Sequence, residues 1–423
     1  WDKALTYARE AGARAVGRSA SREAVASFER ALKALTHLPQ TRDVIEQAID
    51  LRFAMRHALF PLGEQAEISQ RLQEAEALAD SVGDQRRLGR VACYMTSCYW
   101  AMGEYDRAIA SGERALALAV ALGDVTLRID TSLQLGYTYH AVGSYREAME
   151  LLRSGESFLH ETKLPPRLIA FFKVFGRCCL GWCFADLGEF EAGRASVEEG
   201  IHLAEAADHL YGLVAGCSSL GMLHLTRGVY ADAIPVLERA LRLCQISNFP
   251  VFLPMSAACL GAAYAQSGRL DEGLALLEQI VRRDTTSKHM VGQARWLVYY
   301  AEALIQGDRL AEAREAAVRA VSLARACRER GHEAAALWVS GEVAARREDT
   351  DGADALYREA MALARRLNMR PLMAHCLAGL GANHRRMGRV EDGLAELSAA
   401  IELYRSLGMS PALSKAEGRL ALG

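Results

Sequence analysis

The sequence predicts an all-α chain, a solenoid of about ten helix-turn-helix units. Three observations carry that expectation. Stretches of one design keep returning: "AMGEYDRAI" at 101–109, "AVGSYREAM" at 141–149, "TRGVYADAI" at 226–234, "QSGRLDEGL" at 266–274 and "RMGRVEDGL" at 386–394. Small residues recur in a fixed pattern, one in a first helix, another 12 residues later and a third 7 beyond that. Between the turns, apolar residues keep three- and four-residue spacing, as in "YDRAIASGERALALAVAL", and no stretch alternates as a strand would.

The units follow in order. Gly12, Ala24 and Ala31 keep the spacing, and Gly63, Ala75 and Gly83 lie 40 residues before Gly103, Ala115 and Gly123, so residues 1–84 read as degenerate repeats. Regular 40-residue units occupy 85–410. Their small-residue triplets are Thr96/Ala108/Ala115, Gly136/Ala148/Gly155, Gly181/Gly193/Gly200 and Gly221/Ala233/Ala240. They continue as Gly261/Gly273/Ile280, Ala301/Ala313/Ala320, Gly341/Ala353/Ala360 and Gly381/Gly393/Ala400. One 45-residue step, Gly136 to Gly181, places an insertion near 160–166, where Pro165-Pro166 cannot continue a helix. Residues 411–423 suit the start of a capping helix with Pro411 in its first turn, and the whole reads as one continuous solenoid.

Antiparallel helices approach closely only where side chains are small. A glycine inside a helix costs about 1 kcal/mol relative to alanine, so its repeated use predicts a packing role. The third small site is expected to admit the next unit's first helix. The turn glycines Gly103, Gly143, Gly188, Gly228, Gly268 and Gly388 read as helix C-caps able to take positive φ. Gly307 arrives one residue early while Ala301 and Ala313 stay in phase. The turn is expected to adjust there.

Gly136, Tyr139, Gly143, Ala148 and Gly155 together resemble the small–aromatic–Gly–Ala–Ala signature of tetratricopeptide repeats. Tyr99, Tyr139, Phe184 and Tyr264 hold the aromatic position; His224 and His384 replace it, and Ala303 (shifted by one) and Ala344 vacate it. Trp296 resembles the family's early-helix Trp. The usual repeat has 34 residues and a regular closing Pro; these have 40 and lack it, which is similar to the long variant of kinesin light chains and bacterial signalling proteins. The resemblance implies a right-handed superhelix whose first helices line a concave groove. Groove-facing positions then lie one and four residues after the first small site and three before it. They are Ser97, Trp100, Leu133, Tyr137, His140, Cys178, Trp182, Ala185, Ser218 and Met222, then Ala262, Ala265, Glu342, Ala382 and Arg385. Trp100, Tyr137, His140, Trp182 and Met222 are the candidate partner-binding residues, since aromatics and Met favour binding surfaces. The other reading is that a tight superhelix packs them against its own inner wall. The family's peptide-carboxylate clamp of Lys, Asn and Arg is not reproduced.

"WDKALTYAREAGARAV", "LGRVACYMTSCYWAMGEYDRAIASGERALALAVALGD", "AIPVLERALRLC" and "ALYREAMALARRLNMRPLMAHCLAGLG" are also similar to the C-terminal region of bacterial class III adenylate/guanylate cyclases. That architecture implies a cyclase domain and an ATPase module upstream. This chain would be the regulatory or docking tail, as its helical beginning at Trp1 also suggests. A stand-alone scaffold is the alternative.

Motifs for chemistry are missing from the sequence. There is no G-x-x-x-x-G-K-[ST] phosphate loop and no H-E-x-x-H, and "GLGANH" at 379–384 sits in a first helix with no strand before it. His375-Cys376 has no partner at metal-ligand spacing. No catalytic residue, metal or cofactor is expected. A net charge of −2 and the lack of a basic ladder with aromatics argue against nucleic acid. Apolar 168–188 carries Lys173, Arg177 and Asp186, which favours a buried helix over a membrane span. Ten cysteines without a C-x-x-C pair read as reduced core thiols in a cytoplasmic protein. The expected partner is a protein or peptide, or the upstream domains of the same polypeptide, with a small effector as a further option.

Overall fold

Helices succeed one another without a strand among the described residues of the computed structural model, which are 1–18, 20–247, 252–284 and 290–421. The first pairs are α1 (Asp2–Gly17) with α2 (Ser21–Leu35), α3 (Arg42–Leu59) with α4 (Gln65–Ser81), α5 (Gln85–Ala101) with α6 (Tyr105–Leu122), and α7 (Val125–Val142) with α8 (Tyr145–Ser157). Next come α9 (Pro166–Leu187) with α10 (Phe190–Ala206), α11 (Leu210–Arg227) with α12 (Tyr230–Ser247), and α13 (Leu253–Gln266) with α14 (Leu270–Asp284). The last are α15 (Gln293–Gln306) with α16 (Leu310–Cys327), α17 (Arg330–Arg346) with α18 (Thr350–Arg366), α19 (Arg370–Arg386) with α20 (Val390–Leu407), and the single α21 (Ser410–Ala421). They coil into a right-handed superhelix of tetratricopeptide-like hairpins.

Each hairpin closes where small residues let two backbones meet. A Cβ on Gly136 would stand 2.6 Å from Leu152, one on Gly181 2.2 Å from Val197, and one on Gly221 2.3 Å from Leu237. Gly261 and Gly381 repeat this against Leu277 (2.9 Å) and Leu397 (2.8 Å), and Gly341 against the Tyr357 ring (2.7 Å). Every one of these neighbours lies 16 residues further on. Ala148 and Ala233, on the second helices, are fully buried. The third small site behaves otherwise than expected. Gly155 faces Ser132, and Gly200 faces Arg177 and Val174, all on the first helix of their own unit. The contact with the next unit falls instead to Gly193, whose Cβ would lie 2.5 Å from Leu223.

Apart from Gly292, the residues with positive φ fall on a 20-residue grid: 63, 83, 103, 123 and 143, then 188, 208 and 228, then 268, then 308, 328, 348, 368, 388 and 408. Both turns of a unit therefore have the same form. At the turns after the first helices, the amide following the left-handed residue donates five residues back. Glu104 bonds to Tyr99, Ser144 to Tyr139, Glu189 to Phe184, Val229 to His224 and Arg389 to His384. Gly143, Gly188, Gly228, Gly268 and Gly388 take φ between 77° and 94°. The turn at Gly307 does not adjust. Gly307 keeps φ −83° as the helix end, Asp308 takes φ 55°, and Arg309 donates to Leu304, not Ala303. The 45-residue step holds a 3₁₀ turn, Phe158–Glu161, ahead of the prolines that open α9.

The superhelix is tight enough for successive coils to touch. Tyr105 donates to Glu329 (2.7 Å), and the Tyr145 hydroxyl lies 3.6 Å from the Met369 sulfur, each across 224 residues of sequence. Gly143 sits beneath Leu367, Gly188 beneath Leu407 and Pro371, and Arg227 Nε donates to the Gly408 carbonyl. Among the described residues α9 is the one helix apolar and long enough to cross a membrane; here Phe172, Val174, Phe175 and Cys179 are buried inside the solenoid. All ten cysteines are free, nine of them buried.

Candidate functional site

The axis of the superhelix is where polar side chains collect. Trp100 of α5, Tyr137 of α7 and Trp182 of α9 stand in a row with ring centroids 5.5 Å apart at each step, and His140 adjoins Trp182 at 5.6 Å. The row follows from register: Tyr137 and Trp182 each come one residue after the first small site of their unit. These side chains are half-buried. Tyr137 donates to the Phe175 carbonyl (3.2 Å) and Trp182 to Ser219 (2.9 Å). Met222 is buried, with its sulfur 3.1 Å from an Arg295 nitrogen. Trp100, Tyr137, Trp182 and His140 thus form one continuous wall, with the Tyr137, His140 and Trp182 polar tips bonded within the protein, while Met222 sits beside Arg295.

Behind that wall runs a hydrogen-bonded chain that the sequence does not announce. His140 Nε2 lies 3.0 Å from Asp186, and Arg295 clasps the same carboxylate with contacts of 3.0 and 3.2 Å. Arg295 Nε donates to His332 Nε2 (3.0 Å), which leaves His332 Nδ1–H to donate to Glu329 (2.8 Å). Glu329 also accepts from Tyr105 (2.7 Å). The chain joins α6, α7 and α9 of one coil to α15 and α17 of the next. Burial alone would raise the Asp186 pKa, but the Arg295 charge and the His140 bond hold it well below the ordinary carboxylate range. His140 is lowered because burial disfavours its charged form more than Asp186 favours it.

Beyond Asp186 and Arg295 the axis opens into a cavity of about 330 Å³, a size suited to a small ligand or one side chain of a larger one. Its walls include Tyr230 of α12, Tyr299 and Glu302 of α15, Trp338 and Glu342 of α17, and His375 of α19. Helix α21 closes one side with Pro411, Ala412 and the exposed Lys415 and Arg419. Of the groove positions read from sequence, Ala262, Ala265 and Glu342 line this cavity; Ala382 and Arg385 do not, and Arg385 reaches the Arg419 carbonyl instead. Burial and the nearby Glu342 push the Glu302 carboxyl up to about 8. Burial, with Lys415 adding to it, lowers His375 to about 4, so its Nδ1 accepts from Tyr404 (2.8 Å). Among the described residues no group of three or more His, Cys, Asp or Glu side chains is arranged to hold a metal ion.

The tetratricopeptide repeat family model matches two segments, 95–126 and 217–250, each spanning a helix-turn-helix of the grid. No curated protein sequence matches the chain. Among solved structures the chain is similar to a Rap protein complexed with competence and sporulation factor, at TM-score 0.64 and 13% identity over 86% of this chain and 98% of that one. It is also similar to the Rap conjugation gene regulator of plasmid pLS20 in complex with the Phr* peptide (TM-score 0.55, 13% identity, 87% and 97%). A third is aspartyl phosphate phosphatase F from Bacillus subtilis (0.51, 14%, 86% and 94%). At such identities the likeness is one of fold.

Proposed function

We propose that this chain is a non-catalytic regulatory module that holds a peptide or a segment of a partner protein at the axis of its superhelix. The observation that carries this reading is the axial cavity, walled mainly by side chains from the first helices of successive units, with α12 and α21 completing it, and adjoining a polar chain that ties two coils together. A ligand there touches both coils, and so has the differential contact with the module's conformation that a signal requires. Two solved structures of similar fold hold ligands, competence and sporulation factor in one and the Phr* peptide in the other. Their ligands support the reading by analogy of fold alone.

The finer assignment rests on the likeness to cyclase tails. On it, the chain is the C-terminal sensor or docking region of a multidomain bacterial signalling protein with a cyclase and an ATPase module, and works in the cytoplasm. The partner is then an effector peptide or the upstream domains themselves.

Two measurements test these levels separately. A synthetic peptide library screened by calorimetry against the full chain is expected to yield binders that are lost on Ala412→Trp, which fills the cavity beside α21. Binders indifferent to that substitution would move the site off the axis. Cyclic-nucleotide production by a parent protein with and without this region is expected to differ; unchanged basal and stimulated output would leave a scaffold.

A further inference from the structure

Among the described residues, the buried and half-buried acids around the axis are paired, with one exception. Asp186 is held by Arg295 and His140, Glu329 accepts from Tyr105 and His332, and Glu333 accepts from Arg325 and Arg330. Glu342 accepts from the Tyr357 hydroxyl at 2.6 Å. Glu302 has no donor among the described residues, yet it faces the axial cavity. It lies 40 residues before Glu342 in the same register of the preceding first helix, so the two carboxylates address one space.

We propose that the axial cavity takes an organic cation, a primary ammonium or guanidinium group, between the Glu302 and Glu342 carboxylates and against the Tyr299 and Trp338 rings. The proposal rests on the cavity being the ligand site argued above, and names what that ligand carries. Two carboxylates side by side repel unless a proton or a cation lies between them. Aromatic faces add attraction for a cation that has shed water. The other charges facing the cavity do not supply that cation. Arg295 is committed to Asp186, Arg227 to Glu191 and the Gly408 carbonyl, His332 lies between Arg295 and Glu329, and His375 on α19 is neutral. Arg346 of α17 and Lys415 and Arg419 of α21 have exposed side chains at the rim, where water screens them. Lys415 opposes the upward shift of Glu302 but does not abolish it. The unmatched charge in the interior is therefore negative. With its carboxyl raised to about 8, Glu302 is protonated in the empty cavity at neutral pH. A cation displaces that proton, so binding releases a proton and tightens as pH rises toward and past that value.

The test is calorimetry on the full chain with named probes. Cadaverine and agmatine present the free cation; acetyl-Ala-Lys-Ala-amide and acetyl-Ala-Arg-Ala-amide present it on a peptide; acetyl-Ala-Gln-Ala-amide is the neutral control. Cationic probes are expected to bind, to release protons in buffers of different ionisation enthalpy, and to weaken by about tenfold or more in Glu302→Gln, the loss of one charge-assisted contact. Glu302→Gln mimics the protonated carboxyl, so it is expected to keep the parent's melting temperature at neutral pH. Should it fail to fold, proton release by the parent protein decides alone. Tighter binding of the Lys and Arg peptides than of the amines identifies a basic peptide as the source; amines alone identify a free effector. Binding of the neutral peptide in preference to every cation overturns the proposal but leaves a peptide site. Cation binding that Glu302→Gln leaves unchanged, or that releases no proton, also overturns it. Silence from every probe, against success of the wider peptide library, removes the cation and keeps the cavity.

Discussion

Asp186 shows how a residue's meaning depends on what folding brings beside it. In sequence it is a charge that argues against a membrane span within an apolar run. In the structure it is the hub of a buried chain, because Arg295, 109 positions away, arrives across the axis. No spacing rule relates the two. Replacing Arg295 with Met strands a buried carboxylate, and the expected loss is about 3–5 kcal/mol in chemical denaturation. The sign with pH follows from the directions of the shifts. Asp186 is depressed, so its contribution is present above the ordinary carboxylate value and is lost as pH falls toward its folded value. His140 is depressed too, so stability also falls as pH drops below about 6.5, where the unfolded chain gains a proton that the fold resists. The parent protein is expected to melt progressively lower from neutral pH into acid. The part due to Asp186 should vanish in Arg295→Met, and melting curves of both proteins across that range check it.

At the scale of helices and turns, glycine is used in two ways that substitution separates. Gly221 is a close approach, so even Gly221→Ala is expected to overpack against Leu237 and cost about 1–3 kcal/mol. Gly388 has open space around it but φ 77°, so Gly388→Ala is expected to cost about 1–2 kcal/mol from backbone conformation alone. Glu348 takes φ 64° at an equivalent turn, and Glu348→Gly is expected to be neutral or stabilising by up to about 1 kcal/mol. Denaturant midpoints of the three variants distinguish these outcomes. The same contrast shows what was legible. Turn glycines and small helix sites stand out in sequence because glycine is chemically conspicuous there. Asp308, Glu348 and Asn368 hold the same turn conformation without looking like it, and only counting by 20 finds them. Glu302 was hidden in another way. It occupies the register that makes Tyr137, Trp182 and Glu342 face the axis, but the chemically conspicuous aromatic side chains at that register lie in the N-terminal half. The cavity, with its unpaired carboxylate, lies in the other half.

For the whole molecule, the sequence pattern describes how each unit meets the next, and from that alone stability would be nearly a sum of local terms. The coils that touch across 224 residues change that expectation. Their meeting depends on rotation accumulated over several units, including the one lengthened by five residues, and no local motif records an accumulated angle. Tyr145 is the clearest such contact: it is buried, its hydroxyl touches Met369, and the same oxygen lies 2.2 Å from where a Cβ on Gly331 would stand. Removing the ring with Tyr145→Ala takes away contacts on α17 and at the turn into α19, while every helix pair around those turns keeps its own packing. In a molecule of independent neighbours, amide exchange would rise around α7 and α8 and fade with sequence distance. In this one, exchange is expected to rise a second time in 330–335 and 367–372, with the units between less affected. A hydrogen-exchange map with that second maximum would show that the coils support each other, so that a ligand at the axis can be felt by both. A map with one maximum would make each coil thermodynamically separate and would leave an axial ligand nothing to transmit between them.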